Sequence, residues 1–291
     1  MIHLLRVPNK MKSVILRSPP AKDSEETREG RKPPLPQNPR PDVIGTQGDR
    51  RDILLATLNP DVFGLTVLPL LGVAVALVLL TMKAQPEAAR YAAVMPLAYL
   101  LGSVPWGYVL LRWRRGVDIR QHGSGRTGMS NVLRTGGGKV AALVLVLDLS
   151  KGVLAVLLAR MVIGAEGAEV AAGLLALAGH NWSVFLGFQG GRGIATGLGG
   201  LAVMAQVPAA VGALSFIPVT LLSRYISLGS LSGVLIACLS LLVLTLLGWY
   251  SSTYILYAVL AGAIIFWQHR DNIQRLLRGT ERRLGQSAGK P

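Results

Sequence analysis

Four stretches of the chain, residues 62–82, 91–111, 193–223 and 225–269, contain no Lys, Arg, Asp or Glu. A helix needs about 20 apolar residues to cross a bilayer, so two of these runs hold one span each and the longer two hold two. The rest of the composition agrees. Of 291 residues 15% are charged, against about 25% in a soluble domain, and the mean hydropathy is +0.46. An ordinary soluble enzyme is excluded. The chain reads as an all-α polytopic membrane protein.

Residues 1–61 carry 11 basic and 8 acidic residues and seven prolines between Pro19 and Pro41. Such a polar, Pro-rich segment cannot bury a core and is expected to be a disordered cytoplasmic tail. Spans are expected near 62–82, 91–112, 139–163, 167–187, 193–206, 207–223, 226–248 and 252–268. Breakers at Gln85-Pro86, Gln206-Val207-Pro208 and Gly248-Trp249-Tyr250-Ser251 set the cuts. The run at 193–206 is short and glycine-rich, so it enters part way or packs tightly on its neighbours. Gly193-x-x-x-Gly197 and Gly229-x-x-x-Gly233 have the spacing of close helix contacts, and chance spacing in a Gly-rich chain explains them equally. Cys238 stands alone among apolar residues and packs inertly.

The net charge of +15 would suit nucleic acid, but basic residues also gather on the cytoplasmic side of membrane spans. No interleaving of basic and aromatic residues marks a single-strand groove, so no nucleic-acid partner is expected. Residues 112–140 hold seven basic residues against Asp118, and the tail after Gln268 holds six against Asp271 and Glu281. Both therefore face the cytoplasm. Counting spans between them returns four polar segments to that face: 113–138, 187–193, 224–226 and 269–291. A composite site is expected there.

In the first segment, glycines 123, 125 and 128 allow positive φ and present N–H groups to an anion. Ser124, Ser130 and Asn131 add neutral donors, and Arg134 adds a planar fork suited to phosphate. A flexible basic loop would look the same. In the second, Gly190-Gly191-Arg192-Gly193 opens a helix, so N–H groups and the positive dipole end face the site, with Thr196 one turn in. The plain alternative is a membrane-edge turn with a snorkelling arginine. Ser227 lies in a brief polar hairpin, and Asn272 shares a helical face with His269 in a basic juxtamembrane stretch. Asp148 and Lys151, three apart within a span, pair either for function or to hold the bundle, and His180 is a catalyst or a core hydrogen-bonder. The histidines lack metal-ligand spacing, so no metal and no cofactor is expected.

Taken in order, Gly102-Ser-Val-Pro-Trp-Gly107, His122-Gly-Ser-Gly125, Ser130-Asn-Val-Leu-Arg134, Asp148-Leu-Ser-Lys-Gly152, Gly179-His-Asn181, Gly190-Gly-Arg-Gly-Ile-Ala-Thr196, Arg224-Tyr-Ile-Ser-Leu228 and His269-Arg-Asp-Asn272 resemble the bacterial membrane-integral acyl-phosphate:glycerol-3-phosphate acyltransferase family. The resemblance covers about 91–281 and implies transfer of a fatty acyl group from acyl phosphate to the 1-hydroxyl of glycerol 3-phosphate, giving lysophosphatidic acid and phosphate. It implies an inner-membrane location and a functional link to an enzyme that makes acyl phosphate. Arg134, Arg192, the backbone of Gly190 and Gly191, and with them Gly125, Ser130, Asn131, Gly193 and Thr196, would hold phosphates. Ser124, Ser227, His269 and Asn272 would orient the hydroxyl and the acyl carbonyl. Whether His269 or a substrate phosphate oxygen removes the proton stays open. The family usually has Asn, Ala and Thr where this chain has Arg126, Met129 and Ser130, and Lys where it has Gln189 and Arg192. Ser for Thr and Arg for Lys keep the chemistry, whereas Arg126 and Met129 enlarge the loop. The resemblance implies a bundle of about seven core transmembrane helices in a membrane domain at 91–281, with one extra N-terminal span and its loop at 62–90 that have no counterpart in the family's usual seven, the disordered tail at 1–61 and a flexible end at 282–291.

Two other classes fit part of this pattern. An organic-phosphate transporter needs cytoplasmic basic groups, but also midplane binding elements and internal repeats, neither of which is evident. A non-catalytic relative would bind phospholipid precursors without turnover. Acyltransferases of the His-x4-Asp type are excluded, because no histidine has Asp five positions later.

Overall fold

The computed structural model describes residues 60–286. Residues 1–59, nearly all of the expected tail, and 287–291 lie outside the described residues. Among the described residues there is no strand. After a short turn at Pro60–Val62 and a π-helical turn at Phe63–Val67 come α1 (Leu68–Thr81), α2 (Glu87–Ser103), α3 (Trp106–Arg115), α4 (Met129–Gly136), α5 (Gly138–Val162), α6 (Glu166–Asn181), α7 (Ile194–Met204), α8 (Gln206–Ser223), α9 (Ile226–Leu246), α10 (Thr253–Gln268) and α11 (Arg270–Leu277).

Among the described residues, four helices are long and apolar enough to cross a membrane, the run Phe63–Thr81 and α5, α8 and α9. The bent pair α2 and α3 makes a fifth. Large apolar side chains such as Leu65, Leu80, Leu222 and Leu246 stand outward, as they do where the surrounding solvent is lipid. The molecule is a multi-pass membrane protein. At 11 residues, α7 rises about 16 Å and reaches half-way through a 30 Å hydrocarbon layer.

The single span expected over 91–112 is instead two helices meeting at a 40° bend. Its cause is local. Val104 precedes Pro105 and takes an extended ψ of 116°, and Pro105 has no N–H to continue the ladder. The Val104 carbonyl accepts from the Lys151 ammonium at 3.0 Å. The span expected over 167–187 also stops early, at Asn181, and gives way to a tight turn at Val184–Leu186.

Close packing of the bundle rests on small residues. A Cβ on Gly102 would overlap the Ala176 carbonyl of α6, and one on Gly152 the Thr196 carbonyl of α7. Gly229 lies against Thr220, and Gly233 against Gly212, so the 229/233 pair does join α9 to α8. The 193/197 pair meets side chains rather than backbone, Gly193 that of Leu177 in α6 and Gly197 that of Ile265 in α10. The close approach of α7 to α5 is made at Gly199, which sits on the Leu149 carbonyl. The Phe63–Thr81 run contributes Phe63, buried and edge-on to Phe185 with ring centroids 5.2 Å apart.

Candidate active site

Alternating helix directions bring the α3–α4 loop, the α6–α7 loop, the α8–α9 turn and the residues after α10 to one end of the bundle. There they enclose a cavity of about 410 Å³. Its polar end is lined by Ser124, Ser130, Arg134, Arg192, Ser227, His269 and Asn272. It continues between α7, α8, α9 and α10 past Leu198, Leu201, Phe216, Val234 and Ile265, all apolar. The cavity thus joins guanidinium groups to a hydrocarbon-lined recess.

The loop before α4 is organised by Asn131, which is buried. Its amide nitrogen donates to the carbonyls of His122 and Arg126, both at 2.9 Å, and its oxygen accepts the Ser124 N–H at 3.1 Å. The Asn131 amide is therefore spent on the loop, although the residue also borders the cavity. Gly123 and Gly125 have the positive φ expected of them, whereas Gly128 caps α4 at φ −75°. The Ser124 hydroxyl is buried with no hydrogen-bond partner and borders the cavity. An Asp118–Arg120 ion pair at 2.6 Å, with Arg120 5.0 Å from the Tyr108 ring, anchors the start of the loop. Arg134 makes no ion pair among the described residues. Burial, and then the like charge of Arg282, hold its pKa below the ordinary arginine value.

The glycine segment works differently from expectation. The Gly191 N–H donates to the His180 carbonyl at 3.0 Å, and a side chain there would strike the His180 ring. It is thus a packing residue and offers no N–H to an anion. Gly190 and Gly125 lie outside the main cavity and border a smaller one. Thr196 is fully buried and donates to the Asp148 carbonyl at 2.9 Å, which ties α7 to α5 and removes it from the phosphate ligands. Gly193 does line the cavity and caps α7 with φ 83°. Arg192 reaches in beside it, with one contact, Nε to the Gln268 carbonyl at 3.3 Å. Burial, reinforced by Arg126 and Arg275, pushes its pKa down to about 10. A desolvated guanidinium without a carboxylate partner is a strong receptor for an anion.

On the facing wall, a residue that sequence reasoning counted only as tail charge organises the site. Glu281 accepts from Ser227 Oγ at 2.9 Å, Asn272 Nδ2 at 2.7 Å and Arg275 Nε at 2.7 Å. Burial alone would raise its pKa, but these three donors hold it below the usual carboxylate range. Replacing Glu281 with Gln should loosen Ser227 and Asn272 together, with lower thermal stability in detergent and lower turnover. An unchanged melting temperature would count against this linkage. The segment continues to the Arg224 turn, where the Leu284 N–H donates to the Arg224 carbonyl at 2.6 Å. The nearest sequence signal was the position of Glu281, nine residues after Asn272.

His269 is buried, and its Nδ1 lies 2.8 Å from the Ile265 carbonyl. A carbonyl only accepts, so Nδ1 carries the proton and Nε2 is left as the ring's basic atom. Burial pushes the pKa down to about 4, with the Ile265 bond opposing and the fields of Arg192 and Arg126 assisting. Deeper in the wall, Asp148 meets Lys151 at 3.0 Å and His180 at 3.6 Å, all three buried. Among the described residues no group of three or more His, Cys, Asp and Glu is placed to hold a metal ion. Chemically, the arrangement offers strong anion contacts, hydroxyl and amide donors, and one neutral imidazole beside an apolar channel.

Comparison with known proteins gives this geometry its context. The glycerol-3-phosphate acyltransferase family model matches residues 92–279. Glycerol-3-phosphate acyltransferase 3 of Dehalococcoides mccartyi is 46% identical over 212 residues, covering 69% of this chain and 98% of the relative. The glycerol-3-phosphate acyltransferase of a Synechococcus species is 47% identical over 194 residues, covering 66% and 94%. The crystal structure of PlsY (YgiH), an integral membrane glycerol 3-phosphate acyltransferase, in its glycerol 3-phosphate form, is 37% identical. It superposes with a TM-score of 0.63 over 67% of this chain and 96% of that one. With a family match across almost two hundred residues and the polar segments meeting in one cavity, the chain belongs to the glycerol-3-phosphate acyltransferase family.

Proposed function

We propose that this membrane protein transfers a fatty acyl group from acyl phosphate to the 1-hydroxyl of glycerol 3-phosphate, releasing lysophosphatidic acid and inorganic phosphate for phospholipid synthesis. The observation that carries this reading is the cavity's two-part wall, with Arg134 and Arg192 at one end and an apolar recess between α7 and α10 at the other. A substrate with a phosphate head and an acyl tail fits such a wall, and a second small phosphate ester fits beside it. Acyl phosphate is already activated, so no enzyme nucleophile is needed. Positioning and charge stabilisation carry the rate.

In this reading Arg134, Arg192 and Ser130 grip phosphate, with Gly193 allowing the close approach. Ser124, Ser227 and Asn272 orient the attacking hydroxyl and the acyl carbonyl. His269 Nε2 accepts the hydroxyl proton as the C–O bond forms and the carbonyl carbon loses phosphate. Asp148, Lys151 and His180 support the wall. The site opens to the cytoplasmic face of the inner membrane, a reading that the basic loops support. Residues 62–90 are an added span ahead of the catalytic domain, and the donor comes from a separate enzyme that makes acyl phosphate.

Purified protein given glycerol 3-phosphate with either acyl phosphate or an acyl thioester tests the donor. Phosphate release that requires both substrates, with no turnover of the thioester, is the expected result. Uptake of glycerol 3-phosphate into vesicles without product would favour a carrier instead. A second measurement addresses the proton. With His269 neutral above about pH 4, activity should hold from pH 7 down to pH 5 and fall as pH drops through about 4. An acid limb near 6.5 that vanishes in His269→Gln would show an ordinary, solvated imidazole and overturn the buried-base reading.

A further inference from the structure

The apolar recess of the cavity ends at one level on all four helices that form it. Its last lining residues are Leu201 on α7, Gly212 on α8, Cys238 on α9 and Tyr257 on α10. One turn further from the polar end stand Met204, Ala209, Leu241 and Tyr254, all buried in a single hydrophobic cluster and none of them on the cavity wall. The recess therefore has a closed floor. Tyr257 fixes it, because its hydroxyl donates to the Gly197 carbonyl at 2.8 Å and ties α10 to α7. From Ser227 to Cys238 the rise along α9 is about 16 Å, close to half of a hydrocarbon layer of about 30 Å. The recess is thus about as deep as one leaflet.

The approach to the floor is kept wide at Gly262 on the α10 wall. Unlike Gly102 and Gly152, this glycine serves no close helix contact. Among the described residues, a Cβ added there would meet only Cys238 Sγ, at 3.5 Å, which is ordinary contact. A helix-interior glycine that no neighbour requires costs helix stability, and here its missing side chain leaves width to the recess. A second route leads sideways. Leu145 and Ile217 lie on the cavity wall nearer the polar end and are also exposed, so the wall faces lipid there.

We propose that the floor measures the donor's acyl chain: Leu201, Cys238 and Tyr257 stop its methyl end, and Gly262 sets the width of the way in. Each methylene buried short of the floor adds to binding, whereas one beyond it must displace packed side chains, which costs more than burial gains. That the chain belongs to an acyl donor rests on the acyltransferase reading; the floor does not.

The test gives the full chain in nanodiscs a series of saturated acyl phosphates of increasing length, with glycerol 3-phosphate in excess. In wild type kcat/KM should fall by about tenfold or more over the first few methylenes beyond the optimum. Gly262→Leu should move that limit to shorter donors and Leu201→Ala to longer ones. Partition of the donor into lipid is common to all three proteins and cancels between them. Shifts in opposite directions are what a purely structural role would not produce. Should either variant fail to fold, Gly262→Ala, whose added methyl fits, carries the test with a smaller shift toward shorter donors. A wild type without a length limit, or the same length profile in Gly262→Leu or Gly262→Ala as in wild type, means that the chain leaves sideways and overturns the proposal. A binding measurement separates this from the reaction. Cys238 is the chain's one cysteine. Alkyl phosphates long enough to reach the floor should protect it from N-ethylmaleimide, and shorter ones should not. A Cys238 that does not react in the free protein has no open path above it, which also overturns the proposal. Length-dependent protection in a chain that transfers no acyl group keeps the floor and sinks the acyltransferase reading; acyl transfer with protection alike at every length does the reverse.

Discussion

Arg192→Ala should leave a folded protein whose kcat/KM for glycerol 3-phosphate is lower by about a thousandfold, the scale set by removing one preorganised charged donor from a dry site. The side chain makes a single long contact, to the Gln268 carbonyl, and no ion pair among the described residues. Its removal therefore takes little from the fold. Burial among Arg126 and Arg275 already works against its charge, so the ligand-free variant should melt no lower than wild type. Loss of activity with retained stability is what distinguishes a ligand-binding group from a structural one. Arg192→Lys restores a point charge without the planar fork and should recover most of kcat at a raised KM. Full turnover by Arg192→Ala, or a melting temperature that falls in step with activity, would remove this arginine from the site.

Much of this architecture can be read from the charge-free runs, because hydrocarbon tolerates unpaired charge poorly and helix length follows bilayer thickness. The helix ends fall within a few residues of the expected ones at α5, α7, α8 and α10. The α2–α3 break was hidden because Val104-Pro105 sits in an unbroken apolar run, and Pro is common in membrane helices. Its consequence, a carbonyl that Lys151 satisfies, depends on a residue 47 positions away. The same limit applies to the glycines. Sequence shows that Gly190 to Gly193 are crowded, but not whether their N–H groups meet a ligand or a neighbouring carbonyl. At Gly191 the carbonyl of His180 takes the bond. Asn131 and Glu281 show the rule in both directions. Asn131 is a plausible ligand by type that the loop consumes, and Glu281 is a tail acid by position that three donors surround. Hydrogen-bond partners are tertiary facts, and one-dimensional spacing carries them only within a helix.

Those considerations bear directly on the intramembrane pair, for which sequence left function and structure equally open. Lys151→Met should lower the stability of the detergent-solubilised protein by about 3–5 kcal/mol, as expected when one partner of a buried ion pair is removed and the other stays. Two losses combine in it. Asp148 keeps only His180, at 3.6 Å, and the Val104 carbonyl at the bend loses the ammonium and keeps only the Trp106 N–H, at 3.2 Å. Asp148→Asn in the same background removes the stranded charge, so the double variant should regain part of the stability, the shortfall reflecting Val104. Activity should follow the folded fraction in every variant, because the ammonium bonds Asp148 and Val104 rather than facing substrate. A Lys151→Met protein that melts like wild type but turns over a thousandfold more slowly would reverse the assignment and make the ammonium part of the chemistry. A double variant less stable than Lys151→Met would show that the carboxylate is held mainly by His180 and by the Thr196 link to the Asp148 backbone, with the lysine serving the bend alone.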